Sequence, residues 1–135
     1  MKPSLRLRLS TLLLAGAALA SGCSTPPPAP PPTGLAEVME RPAERALLEG
    51  IRAYDDGQYA QAEKALRKAL ADGLQSARDR ATAHKLLAFI TCTSNRLADC
   101  QTQFREARAA DASFALSRSE AGHPVWGPVY KSLSQ

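Results

Sequence analysis

One internal echo restricts this chain more than any other feature. Gly57, Tyr59, Ala62, Leu66 and Ala69 are answered by Asn95, Leu97, Cys100, Phe104 and Ala107, each pair 38 residues apart. The first member of each set suits a turn and the others follow at helical spacing. A segment that turns at a glycine or asparagine and then shows apolar residues three to four apart is a helical hairpin. Two copies at a fixed offset predict two hairpins stacked on each other, since one hairpin cannot bury its own apolar face.

The first unit contains Gly50–Leu70, GIRAYDDGQYAQAEKALRKAL. Ala46, Leu47, Gly50, Ile51 and Tyr54 form one face of a helix that Pro42 opens and Asp55-Asp56-Gly57 closes, with Gly57 supplying a left-handed stop. A second helix is expected from Tyr59 to Leu70, ended by Asp72-Gly73. This stretch resembles the 34-residue tetratricopeptide pattern. Gly50 falls on that pattern's first-helix glycine, Tyr59 on the aromatic after the turn, and Ala62 and Ala69 on its two second-helix alanines. The four residues beyond 34 belong to the connector 72–76. In the second unit Ser76 and Asp79 have capping-box spacing. Ala83, Leu86, Leu87, Phe89 and Ile90 then mark a helix to Thr93. Asn95 makes the turn, and Leu97–Ala110 is the partner helix. His123-Pro124 is expected to open a last short helix, with Pro124 at its first position and Val125, Trp126, Val129, Tyr130 and Leu133 on one side. Such an element would cap the exposed end of the second hairpin. Trp126 reads as core, with a ligand-facing indole as the alternative. The fold expected over residues 35–135 is therefore all-α, about two tetratricopeptide-like hairpins and a C-terminal capping helix.

Residues 1–22 are of another kind. Lys2, Arg6 and Arg8 precede the short apolar run Leu9–Ala20, and small residues lead to Cys23. That is a signal-peptide pattern, too short to span a bilayer and stay there. Leu19-Ala20-Ser21-Gly22-Cys23 resembles the lipobox of bacterial lipoproteins, which implies cleavage before Cys23 and attachment of a diacylglycerol and an N-acyl chain to it. Ala20 stands where leucine is commoner, and ordinary secretory cleavage leaving a plain thiol is the alternative. Two or three acyl chains, at about 0.8 kcal/mol per buried CH₂, would hold the chain on a membrane. Ser24 after the cysteine, by the same resemblance, implies the periplasmic face of an outer membrane. Ser24–Gly34 carries six prolines in eleven positions. It reads as a polyproline II spacer of about 3.1 Å per residue, with a PxxP ligand as the sharper alternative. Leu35–Glu40 is a short amphipathic stretch limited by Pro42.

The leader also accounts for the charge. The whole chain carries +4. Three of its basic residues and none of its acidic ones lie in the leader, so the remainder is near neutral. No nucleic-acid partner is expected from such a balance. With Cys23 acylated, Cys92 and Cys100 remain, flanking the Asn95 turn in a compartment where disulfides persist. Facing positions on an antiparallel hairpin are within bridging reach. Two buried free thiols are the alternative. His84 and Cys92, eight residues apart on one helix, cannot share a metal, and no motif joins a nucleophile to a base. The chain is expected to be no enzyme and to take no metal, cofactor or small-molecule substrate. What remains for function is surface. The first-helix slots that line the concave side of such arrays hold Leu47, Ile51, Tyr54 and Asp55, then Lys85, Phe89, Cys92 and Thr93. This is an apolar set, covered either by residues 35–40 or by a protein partner.

The leader with Cys23, the proline-rich tether, the paired hairpins and the ending Gly122-His123-Pro124-Val125-Trp126-Gly127-Pro128-Val129-Tyr130 together resemble the TssQ-type lipoproteins associated with type VI secretion. The resemblance implies a non-enzymatic, outer-membrane-anchored accessory protein whose partners are envelope subunits of that apparatus. A tetratricopeptide lipoprotein assisting pilus or outer-membrane protein assembly is the alternative expectation.

Overall fold

The computed structural model describes Gly34 and residues 40–133. The expectations for the leader, for Cys23, for the proline-rich tether and for residues 35–39 lie outside the described residues. Every regular element among those described is a helix: α1 (Pro42–Asp55), α2 (Tyr59–Ala71), α3 (Ala77–Thr93), α4 (Leu97–Ala110), α5 (Arg118–Ala121) and α6 (Trp126–Ser132). α1 packs on α2 and α3 on α4 as hairpins, α2 meets α3 between them, and α6 lies on α3 and α4. This is the expected all-α tetratricopeptide-like pair with a capping element.

The 38-residue echo is repeated in the backbone. In the first turn the N–H groups of Asp56, Gly57 and Gln58 donate to the carbonyls of Arg52, Tyr54 and Ala53. In the second, Ser94, Asn95 and Arg96 donate to Ile90, Cys92 and Thr91, the same three bonds 38 residues on. Both turns need a residue in the left-handed region, and Gly57 (φ 74°) and Asn95 (φ 59°) provide it. Burial follows the same frame. Ala62 and Cys100, Leu66 and Phe104, and Ala69 and Ala107 are all fully buried, whereas Tyr59 and Leu97 are about half exposed.

Two close approaches explain residue choices. A Cβ on Gly50 would lie 2.7 Å from Leu66 Cγ, so the absence of a side chain lets α1 and α2 meet. One on Gly127 would lie 2.6 Å from the Ala121 carbonyl oxygen, so α6 can cross close behind α5 only with glycine there. The connector 72–76 turns at Gly73 (φ 88°) and drives Leu74 into the core. Arg80 secures it by donating from Nη1 to the carbonyls of Leu74 and Gln75 at 2.9 and 2.8 Å. Ser76 caps α3 by accepting from the Asp79 N–H at 3.2 Å.

The C-terminal segment departs from expectation. The stretch before His123 contains α5, opened by a complete capping box: Ser117 Oγ accepts from the Glu120 N–H and the Glu120 carboxylate accepts from the Ser117 N–H. Pro124 is not the first residue of the last helix. His123 Nδ1 accepts the Val125 N–H at 3.2 Å in a tight turn, so the chain enters α6 only at Trp126. Pro128 still falls in the first turn of α6, where its missing N–H has no intrahelical partner to lose. Val125 is 43% exposed and does not join the inward side.

Candidate interaction surface

The chain has one tryptophan, three tyrosines and three phenylalanines. All seven rings form one connected network. Tyr59 meets Tyr54 edge-on at 5.5 Å, Tyr54 meets Phe89 at 6.5 Å, and Phe89 meets Phe104 at 6.2 Å. Tyr130 joins Phe104 at 5.3 Å and Phe114 at 6.2 Å, while Trp126 stacks on Phe89 at 4.2 Å and 18°. The network runs from the first hairpin through α3 to the C-terminal segment. It links the rings to a buried core otherwise made mainly of alanine and leucine.

The predicted surface residues fall into two groups around it. Ile51 and Tyr54 are half-buried and Asp55 is exposed on α1. Leu47 and Phe89 are not open surface: they are 6% and 4% exposed, Leu47 within the hydrophobic core and Phe89 beneath Trp126. Lys85 is half-buried, and its Nζ donates to Glu120 Oε1 at 2.6 Å. Cys92 is buried, while Thr93 is exposed and bonds back to the Phe89 and Ile90 carbonyls. The cover over Lys85 and Phe89 is therefore the chain's own C-terminal segment, through Glu120 and Trp126. The sequence offered residues 35–40 or a partner for that role. It missed this because the Glu120-to-Trp126 spacing has no helical period.

Electrostatics tie the same groups together. Burial pushes the Glu120 carboxyl up, but hydrogen bonds from Lys85 and from the Ser117 N–H and hydroxyl outweigh it, and the net shift is downward. The Tyr54 phenol is raised by burial first, then by Tyr59, Asp55 and Glu120. Glu120 is thus held by Lys85 of α3 and by its own capping box. Trp126 Nε1 donates to the Glu120 carbonyl at 2.8 Å and His123 stacks on the indole, so carboxylate and indole are fixed relative to each other.

Cys92 and Cys100 are brought to disulfide distance across the α3–α4 turn, with Cα atoms 5.0 Å apart. On the neighbouring edge, Arg96 reaches back to α2 and makes a two-pronged contact with Glu63, at 3.0 Å to Oε1 and 2.6 Å to Oε2. Arg67 donates to the same carboxylate at 2.7 Å. The bond from Arg96 comes first among the causes that hold the Glu63 carboxyl down at about 2, partly opposed by burial and reinforced by Arg67. This inter-hairpin lock was not foreseen from the sequence, since Glu63 and Arg96 lie 33 residues apart with no pattern to join them.

The remaining titratable groups do not assemble into a centre. His84 Nδ1 is 2.8 Å from Gln103 Oε1, a bond between α3 and α4, and among the described residues no three His, Cys, Asp or Glu side chains converge to hold a metal. Among those residues no helix is long and apolar enough to cross a membrane. The chain matches no protein-family model, no curated protein and no solved structure.

Proposed function

We propose that this protein is a membrane-tethered protein-interaction module, with no catalytic role, that serves as an outer-membrane accessory of a type VI secretion apparatus. The observation that carries the interaction reading is the convergence of Lys85 and Phe89 on a docked carboxylate and indole, with Tyr54 of the first hairpin 6.5 Å from the Phe89 ring. Stacked helical repeats present such faces to peptide and helical segments of other proteins. The tether and the secretion assignment rest on Cys23 in its lipobox-like setting, on the proline-rich spacer, and on the resemblance of the GHPVWGPVY ending to the TssQ type. We also propose that Cys92 and Cys100 are bridged in the periplasm, as their 5.0 Å Cα separation allows.

Crosslinking and pull-down of the full lipidated chain tests the assignment. Envelope subunits of the secretion machine are expected in the eluate. Recovery of pilus or barrel-assembly subunits alone would transfer the protein to the assembly-factor class. Cys23→Ser is expected to move the chain from the membrane to the soluble periplasmic fraction, and retention on the membrane would remove the lipid anchor from the account. For the bridge, alkylation of periplasmic protein without reductant should label neither Cys92 nor Cys100.

A further inference from the structure

The C-terminal segment is held differently from the rest of the domain. α5 has four residues and buries none, and α6 has seven and buries only Gly127. Helices this short do not persist in water on their own, because nucleation fixes several residues before hydrogen bonds compensate. What keeps them in place is side-chain contact with α3 and α4. Glu120 pairs with Lys85, Trp126 stacks on Phe89, Tyr130 meets Phe104, and Arg108 Nη1 donates to the Leu133 carbonyl at 2.7 Å. The Lys85–Glu120 pair is about a quarter exposed on both sides, a setting in which ion pairs add little stability. Segments held by half-buried side chains and partly exposed ion pairs open more often than the whole fold does.

The segment nevertheless docks as a defined unit. Its capping box fixes the Glu120 carboxylate, the Trp126 N–H binds the Glu120 carbonyl, and His123 lies on the indole. It thus presents one carboxylate and, six residues later, one aromatic plane. α3 receives them on Lys85 and Phe89, one helical turn apart and on the same face. Such a pair of receiving groups can hold a peptide segment, the charge fixing its orientation and the aromatic supplying apolar contact. Here the peptide belongs to the chain itself. Removing it would uncover Phe89 and Phe104 together, an apolar patch that needs another occupant.

We infer that the Lys85–Phe89 face of α3, with Tyr54 at its edge, is a peptide-binding surface whose resident occupant is residues 117–133. A partner segment displaces that occupant by offering a carboxylate followed by an aromatic side chain at the same spacing. The inference rests on the reading of the domain as an interaction module and names its surface and its ligand chemistry. The resident segment lowers the partner's apparent affinity by the fraction of time it is docked and keeps the face covered when no partner is present.

The test needs no knowledge of the partner. A fluorescent peptide with the sequence of residues 117–133 is titrated into the full chain, its Trp126→Ala variant, and Trp126→Ala combined with Lys85→Glu. The peptide should bind Trp126→Ala at least tenfold tighter than the unaltered chain, and Lys85→Glu should abolish that gain. A control peptide with glutamine and alanine in place of its glutamate and tryptophan should gain nothing. Amide exchange on the unaltered chain should be at least a hundredfold faster in residues 117–133 than in α3. Equal protection of the two, or equal peptide affinity for unaltered and Trp126→Ala chains that both remain helical by circular dichroism, would overturn the proposal. If Trp126→Ala does not fold, Glu120→Lys, which keeps the indole, is read in the same way. A concentration-dependent dimer that trades the segment between copies would also overturn it, by replacing the partner with a second copy. Failure to recover secretion subunits in a pull-down leaves all these readouts unchanged, so the two readings fail separately.

Discussion

Gly50 is the residue at which sequence and packing are most tightly joined. In an open helix, alanine there would be favoured over glycine by about 0.5–1 kcal/mol through backbone entropy. In this chain the new Cβ would meet Leu66 Cγ at 2.7 Å and Cδ2 at 2.8 Å, and Leu66 is fully buried with no space to withdraw into. Overpacking of this kind costs about 1–3 kcal/mol and should win. Gly50→Ala is expected to lower the stability by about 1 kcal/mol net, the difference between the middles of those two ranges, read as a lower urea midpoint. In a Leu66→Ala background the same substitution should turn neutral or stabilising, which a double-mutant cycle reads directly. Glu63 gives the residue scale a pH dependence. Its folded pKa of about 2 lies below its ordinary 4.5, so the unfolded chain binds the proton more readily. The stability it contributes is complete above pH 4.5 and is lost as pH falls toward 2. With Glu63 and Arg96 partly exposed, screening reduces that contribution to about 1–2 kcal/mol. Glu63→Gln should remove it at neutral pH and flatten the acid limb of the stability curve in that window.

At the scale of elements, legibility followed periodicity. α3 and α4 end where the apolar spacing and the Asn95 turn place them, at Thr93 and Ala110, and α2 runs only one residue beyond Leu70. These boundaries are set by local chemistry, a left-handed residue and a helix face, which a sequence displays. α5 and α6 were less legible because they are set by tertiary contact. Pro124 has the right chemistry to begin a helix, but His123 Nδ1 takes the Val125 N–H and the Trp126 N–H bonds the Glu120 carbonyl, so the chain folds back first. The surface was misread for the same reason: helical spacing put Leu47 and Phe89 on the groove side, and nothing local shows that Trp126 closes over one of them. The cysteine pair lies between these cases, legible in position and dependent on the compartment for its chemistry. A bridge closing so short a loop should add about 2–3 kcal/mol by restricting the unfolded chain. Replacing both Cys92 and Cys100, which are buried, by alanine is thus expected to lower the stability by about 2–3 kcal/mol at one pH, with reductant having no further effect. A midpoint unchanged by the replacement would mean that the packing of α3 on α4 holds the hairpin without help from a bridge.

At the scale of the whole molecule, the 38-residue frame also sets the two described hairpins apart from each other in what their first helices can stack against. α3 packs against the first hairpin, and its Ala83, Leu87 and Ile90 are all buried. The equivalent positions on α1 are Arg45, Glu49 and Arg52, and all three are exposed. The first hairpin therefore carries charge at the positions where the second carries buried apolar side chains, and another hairpin placed there would desolvate two guanidiniums and a carboxylate, at a cost of several kcal/mol. The rear of the second hairpin is closed by the α5–α6 segment. A repeat pair with charge at one end and a docked segment at the other lacks the apolar faces that stack repeats end to end. If the charges are what stops stacking, transplanting the second hairpin's residues should release it. Arg45→Ala, Glu49→Leu and Arg52→Ile in one chain should convert the front face into a copy of α3's. Sedimentation of that triple variant is expected to show concentration-dependent self-association that the unaltered chain lacks, with helical content unchanged. Restoring Glu49 alone should reverse most of it, since the central position then again buries an unpaired carboxylate. A triple variant that stays monomeric would show that backbone shape, and not the charge on α1, ends the array.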